Sequence, residues 1–265
     1  MSAHKGYPKK LSKELREQLE AFSGWYSSGY HITLNNIILR DGLIYIFDAK
    51  WIIRGNPISV TIKVTPIYSV HISGKGKRKI VKDWFATSNE CDIIGKINEP
   101  YIPKLLKTFS ENKFHFSVFE KIEGLTLKEY ALSYNVKNGS DGYFNTAGLE
   151  ESLFKIVTTF HQKFKCVHRN ITPDNIIIGE NSKLYLTNFY NCTQIDDRPI
   201  HSANLSDPNY TSINMMLEEP SSYDDDLESL RYTLHYFNNG TLEWLDKSSN
   251  RKILKLKVAF VNHSK

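Results

Sequence analysis

Asn170, Asn175 and Asn188 are the residues whose type and spacing bear most directly on chemistry, the first two five positions apart and the last two thirteen. With His168, Arg169 and Thr172 they mark a polar stretch, Val167-His168-Arg169-Asn170-Ile171-Thr172-Pro173-Asp174-Asn175, followed by the apolar runs Ile176-Ile177-Ile178 and Leu184-Tyr185-Leu186. A side-chain amide donates and accepts hydrogen bonds, but near neutral pH it has no basic lone pair with which to take a proton. To a hard cation it presents a neutral carbonyl, where such ions prefer carboxylates. The stretch therefore has the polar density of a working site, with Asp174 as its one carboxylate.

The flanking pattern says how the loop is held. Residues 149–164 place Leu153, Ile156, Val157 and Phe160 on one side, which predicts an amphipathic helix before the loop. Two short strands follow it, then an irregular segment over 191–219 rich in Asn, Ser, Asp and Thr, then a helix over 225–237. Upstream, residues 127–134 begin a helix. Earlier still the pattern is β-branched and aromatic: Ile37-Ile38-Leu39, Leu43-Ile44-Tyr45-Ile46-Phe47, Trp51-Ile52-Ile53 and Ile58-Ser59-Val60-Thr61-Ile62-Lys63-Val64. Turns at Arg40-Asp41-Gly42 and Arg54-Gly55-Asn56-Pro57 make this an antiparallel meander of three strands. A basic loop with Lys75, Lys77, Arg78 and Lys79, a helix over 84–97 and strands near 105–109 and 114–120 complete that half. Leu11, Leu15, Leu19 and Phe22 predict a short N-terminal amphipathic helix, packed on the main domain or offered to a partner. The fold class is α+β, two-lobed: a small antiparallel β lobe, then a mainly helical one. We divide it into an N-terminal extension (1–29), an N-lobe (30–121) and a C-lobe (122–265).

The loop resembles the catalytic loop of protein kinases, His-Arg-Asp-x-x-x-x-Asn, and Asn188-Phe189-Tyr190 resembles the later Asp-Phe-Gly. Val60-Thr61-Ile62-Lys63 is similar to the third-strand Val-Ala-Ile-Lys, and Asn89-Glu90-Cys91-Asp92-Ile93-Ile94 to the helix whose glutamate holds that lysine. Phe116 to Gly124 resembles the hinge, with Phe119 as gatekeeper and Glu120 to Ile122 at the adenine edge. Asp224-Asp225-Asp226-Leu227-Glu228-Ser229-Leu230-Arg231-Tyr232 and Tyr210-Thr211-Ser212-Ile213-Asn214 resemble the casein kinase I and vaccinia-related kinase branch. The resemblance implies a two-lobed kinase-like fold with a nucleotide cleft at Lys63, Glu90, Glu120, Ile122 and Asn175. It implies structural roles for His168, Phe189 and Ile94 in an apolar spine, for Asp226 as loop anchor and for Arg169 beside the activation segment. Lys63 and Glu90 are then either a phosphate site or a lobe-clamping ion pair, and Asn175 either a metal ligand or a hydrogen-bonding group.

Four departures bear on activity. Asn170 replaces the loop aspartate, whose loss as a general base costs about 10²–10⁴ in rate; Asn188 replaces the metal carboxylate; Thr172 replaces the lysine that contacts the transferring phosphate. Leu39, Asp41 and Ile44 stand at the glycine positions of the phosphate loop, where side chains keep the backbone from closing on phosphates. No residue is therefore assigned as catalytic, and no cofactor is expected. The leading expectation is a pseudokinase that binds a protein partner, an active kinase or a kinase substrate, as regulator or scaffold. The alternative is a divergent Ser/Thr kinase using ATP and Mg²⁺ with Asp174 or Asp41 recruited as carboxylate. A third reading is an adaptor that binds RNA or membrane through the basic loop and tail.

Composition bounds these readings. Lys+Arg 34 against Asp+Glu 29 gives a net charge of +5, too mild to predict nucleic acid, and 40% hydrophobic residues suffice for an ordinary core. Cys91, Cys166 and Cys192 form no Cys-x-x-Cys pair, which fits a reduced intracellular setting, cytoplasmic or nuclear. No run of about 18 apolar residues predicts a membrane span. Residues 251–265 read as a basic and apolar tail where a full kinase continues, which implies a shortened C-lobe with an apolar underside to be covered. The sequence does not define an oligomeric state.

Overall fold

Between Ile32 and Pro66 the β-branched and aromatic residues form long antiparallel strands. In the computed structural model, the described residues are 26–27, 29–41, 44–67, 69–72, 78–81, 90–111, 114–134, 146–180, 182–195 and 207–263. The expected N-terminal helix, Lys75, Lys77 and the start of the 84–97 helix lie outside them. The chain divides into two units after Ile122.

The first unit is a six-stranded sheet, order β1-β2-β3-β4-β8-β7. Its strands are β1 (Tyr26–Ser27), β2 (Ile32–Asp41), β3 (Ile44–Ile53), β4 (Asn56–Pro66), β7 (Leu105–Glu111) and β8 (Phe114–Glu120). Trp51-Ile52-Ile53 continues β3, so the two turns bound three strands, as expected. The β3–β4 reversal takes two residues, Arg54 (φ 51) and Gly55 (φ 82), between paired Ile53 and Asn56; two successive positive φ angles make the turn whose twist matches the strands it joins. Pairs Tyr45–Val64, Phe47–Ile62 and Ala49–Val60 share one buried face with Ile32, Leu34, Phe109, Phe116 and Val118. The basic stretch is not wholly loop. Arg78 and Lys79 lie on β6 (Arg78–Val81), paired with β5 (Ser69–Ile72), because Ile80-Val81 can ladder against Ser69-Val70. Residues 90–94 are helical.

The second unit is mainly helical: α1 (Leu127–Tyr134), α2 (Thr146–Phe164), α3 (Ile213–Met216), α4 (Tyr223–Asn239) and α5 (Asn250–His263). Short strands β9 (Gly124–Thr126), β11 (Ile176–Gly179) and β12 (Leu184–Leu186) make one small sheet, and β10 (Cys166–Val167) with β13 (Thr193–Gln194) another. Gly124 is required where β9 meets β11, since a Cβ there would lie 2.1 Å from the Ile178 carbonyl oxygen. Helix α2 stops at Lys165, which turns left-handed (φ 55) and donates its N–H to His161 O. Helix α4 starts with Asp225 accepting from the Ser222 N–H and carries three aspartates in its first turn, favourable at the positive end of the helix dipole. Residues 251–263, expected as a tail, are instead part of α5. Helical spacing puts Ile253, Lys257 and Phe260 on one side, packed on Tyr232 and Trp244.

Candidate functional site

Asp226 organises the polar loop. Its carboxylate is fully buried and accepts from the backbone N–H of His168 and of Arg169, both at 2.7 Å, while His161 Nε2 lies 2.8 Å from Oδ2. Hydrogen bonds to a charged acceptor are the strong kind. They hold Arg169 in the left-handed region, φ 63, where a non-glycine residue needs support. Burial lowers the Arg169 guanidinium below its ordinary pKa, with Asp226 and Asp225 pulling the other way.

From there a chain of amides runs across the loop. The Asn170 N–H donates to His168 Nδ1 at 3.2 Å, so His168 carries its proton on Nε2, 3.1 Å from Thr187 O. Asn175 Nδ2 donates to Asn170 O at 2.9 Å. Asn188 Nδ2 donates to Asn175 Oδ1 at 3.2 Å. The Asn175 carbonyl accepts from Thr187 N and Oγ1. Asn188 is left-handed, φ 62, a conformation asparagine tolerates better than most side chains. Phe189 follows it, buried, with its ring edge-on to His168 at 4.5 Å and tilted on Phe160 at 5.4 Å.

Thr172 is buried and precedes the 3-10 turn Pro173–Asn175, its carbonyl accepting from Asn175 N. Asp174, one carboxylate considered for an alternative metal ligand, is held by Lys128 Nζ at 2.9 Å. Burial works to lower the Lys128 pKa, but the hydrogen bond to Asp174 and its charge outweigh it and the value is raised.

The remaining expected residues lie in the first unit. Lys63 Nζ meets both carboxylate oxygens of Glu90, at 2.7 and 2.8 Å, and both side chains are almost fully buried. Beside them Cys91 Sγ lies 3.3 Å from Ser117 Oγ, and burial raises the thiol pKa, so it stays protonated. Glu120 is bound twice to Lys104, through its own N–H and through Oε1. Ile122 is half-buried and Ile94 buried. At the expected glycine positions the backbone is tied into a ladder: Leu39 pairs with Ile46 and Asp41 with Ile44.

As a donor set for Mg²⁺ the loop fits poorly: two neutral amides face each other, one placing an N–H₂ group on the oxygen a cation would need. Among the described residues no group of three or more His, Cys, Asp or Glu side chains is arranged to hold a metal.

Sequence reading missed His161, Thr187 and Lys128. His161 had a signal, since it falls four residues after Val157 on the buried side of α2, where a polar residue needs a partner. Thr187 and Lys128 had none.

No protein-family model matches the chain. The curated relatives it resembles are serine/threonine protein kinases. Serine/threonine-protein kinase C of Synechocystis sp. is 31% identical over 163 residues, covering 57% of this chain and 29% of that protein. Serine/threonine-protein kinase PKH3 of Eremothecium gossypii is 26% identical over 181 residues, 64% of this chain and 23% of the relative. Human serine/threonine-protein kinase Nek10 is 34% identical over 131 residues, 46% of this chain and 11% of the relative. The chain thus spans less than a third of the length of these relatives. Its fold is protein kinase-like: an antiparallel sheet unit followed by a mainly helical one. Among the described residues no helix is long and apolar enough to cross a membrane.

Proposed function

We propose that this chain is a pseudokinase of the casein kinase I and vaccinia-related kinase type that acts by binding a protein partner, an active kinase or a kinase substrate. The observation that carries this reading is the Asn188 Nδ2 to Asn175 Oδ1 hydrogen bond. Active kinases place a carboxylate at the first of these positions to share Mg²⁺ with the second; here one amide satisfies the other. Asn170 supports it too, because its backbone groups are spent on His168 and Asn175 and its side chain is no base. Asp226, His168 and Phe189, all buried, keep the loop in shape without asking it to react. The branch is supported by the Asp225–Ser212 contact at 2.6 Å and by Glu228 accepting from Ile213 N, which join the two stretches carrying that resemblance.

A divergent Ser/Thr kinase is the second reading, favoured by the intact Lys63–Glu90 pair and by the activity named for the relatives. Two measurements separate them. In a thermal-shift titration the pseudokinase gives no Mg²⁺-dependent stabilisation by ATP, and no radiolabelled phosphate moves to a protein substrate. Transfer abolished by Lys63→Met would overturn the proposal. Asn170→Asp with Asn188→Asp restores both acids yet leaves the phosphate-loop positions in their ladder, so that variant also stays inactive.

A further inference from the structure

Lys257 is fully buried on α5, and its ammonium nitrogen is enclosed by neutral groups. It donates to Pro208 O at 2.8 Å and to Thr211 O, and it lies 4.3 Å from the Tyr232 ring centroid and 5.5 Å from that of Trp244. Trp244 Nε1 donates to Asn209 O at 2.8 Å, so α5 and the segment before it take three carbonyls of the 207–212 turn. Within the turn, the N–H groups of Tyr210 and Thr211 return to Asp207 O.

We propose that Lys257 is a proton-operated latch: its side chain fastens the 207–212 turn to α5, and proton uptake there biases the turn towards release. Carbonyl dipoles and ring faces offset part of an ammonium's lost hydration, but a buried amine without a contacting carboxylate favours its neutral form. Two carboxylates face it at longer range, Glu228 from α4 and Asp207 from the turn. Both are engaged: Glu228 Oε1 accepts from Tyr232 Oη and Ile213 N, and Asp207 Oδ1 from Asn209 N and Nδ2. Burial raises the Tyr210 and Tyr232 phenols, so both stay protonated across the range that matters. His235 of α4 meets the Phe260 ring of α5 edge-on, while Arg231, Asp246 and Lys255 are exposed. Burial lowers the Lys257 pKa to about 7, against Glu228 and Asp207. With the turn released the amine would reach water and bind its proton more tightly, so proton uptake favours the released form. This holds whether or not the chain transfers phosphate.

The test uses the full chain with ¹³Cε-labelled lysine. The Lys257 resonance should titrate near neutrality, at least two pH units below the exposed lysines, which titrate at about 10.4. Hydrogen-exchange protection of the Tyr210 and Thr211 amides, referenced to β3 and β4 amides, should rise roughly tenfold per pH unit between pH 7.5 and 9. In Lys257→Met that dependence should vanish. Titration of Lys257 alongside the exposed lysines, or pH-independent protection of the turn in the wild type, overturns the proposal. Should Lys257→Met not fold, the two wild-type measurements still decide.

Discussion

The Lys63–Glu90 pair offers the sharpest test of the first unit. Both carboxylate oxygens touch the ammonium, and the two side chains are 4% and 1% exposed. Glu90→Met leaves a buried lysine facing an apolar side chain, and Lys63→Met leaves a buried carboxylate without its cation; each should cost about 3–5 kcal/mol. That is a fifth or more of the roughly 5–15 kcal/mol that holds a domain together. Replacing both by methionine removes the charges along with their desolvation cost, so the double variant should sit within about 1 kcal/mol of wild type or above it. Urea unfolding of the four proteins closes a double-mutant cycle, with an expected coupling of several kcal/mol. The reasoning fails if each single change costs under about 1 kcal/mol, as a solvated pair would, or if the double variant loses the sum of the singles.

Three further outcomes are expected. Asp226→Ala removes the acceptor of two backbone N–H groups and the partner of His161, and should cost about 3–5 kcal/mol in urea unfolding. Asn188→Asp replaces a donor by an anion facing Asn175 Oδ1, so its thermal unfolding at pH 7 should show a loss of about 1–2 kcal/mol. Lys257 has a folded pKa of about 7, below its ordinary 10.5. Between those values the unfolded chain holds a proton the folded one lacks, so stability rises with pH, by about 1.4 kcal/mol per unit. From pH 7.5 to 9.5 wild type should gain about 2.7 kcal/mol over Lys257→Met, read from urea curves at each pH.

Periodicity alone exposed the sheet unit and the helical unit, because β-branched alternation and the 153–160 stripe are local patterns. The spacing of Asn170, Asn175 and Asn188 marked the loop, and its resemblance to the kinase loop implied that amides stand where acids would act. The 251–263 stretch was misread as a tail for want of a long-range fact: its lysines look solvated until Tyr232 and Trp244 are placed beside Lys257. Arg78 and Lys79 were read as loop because charge hid the Ile80-Val81 ladder with Ser69-Val70.

What the sequence determined by itself is therefore chemical: which groups are present in the loop and at what spacing. What only the tertiary structure decided is how those groups spend their hydrogen bonds. That Asn188 gives its N–H to Asn175, that Thr187 and His161 complete the loop, and that Lys128 holds Asp174 all depend on residues brought together from distant positions. Buried polar groups must find partners, and which partner each finds is set by packing, which no local pattern encodes.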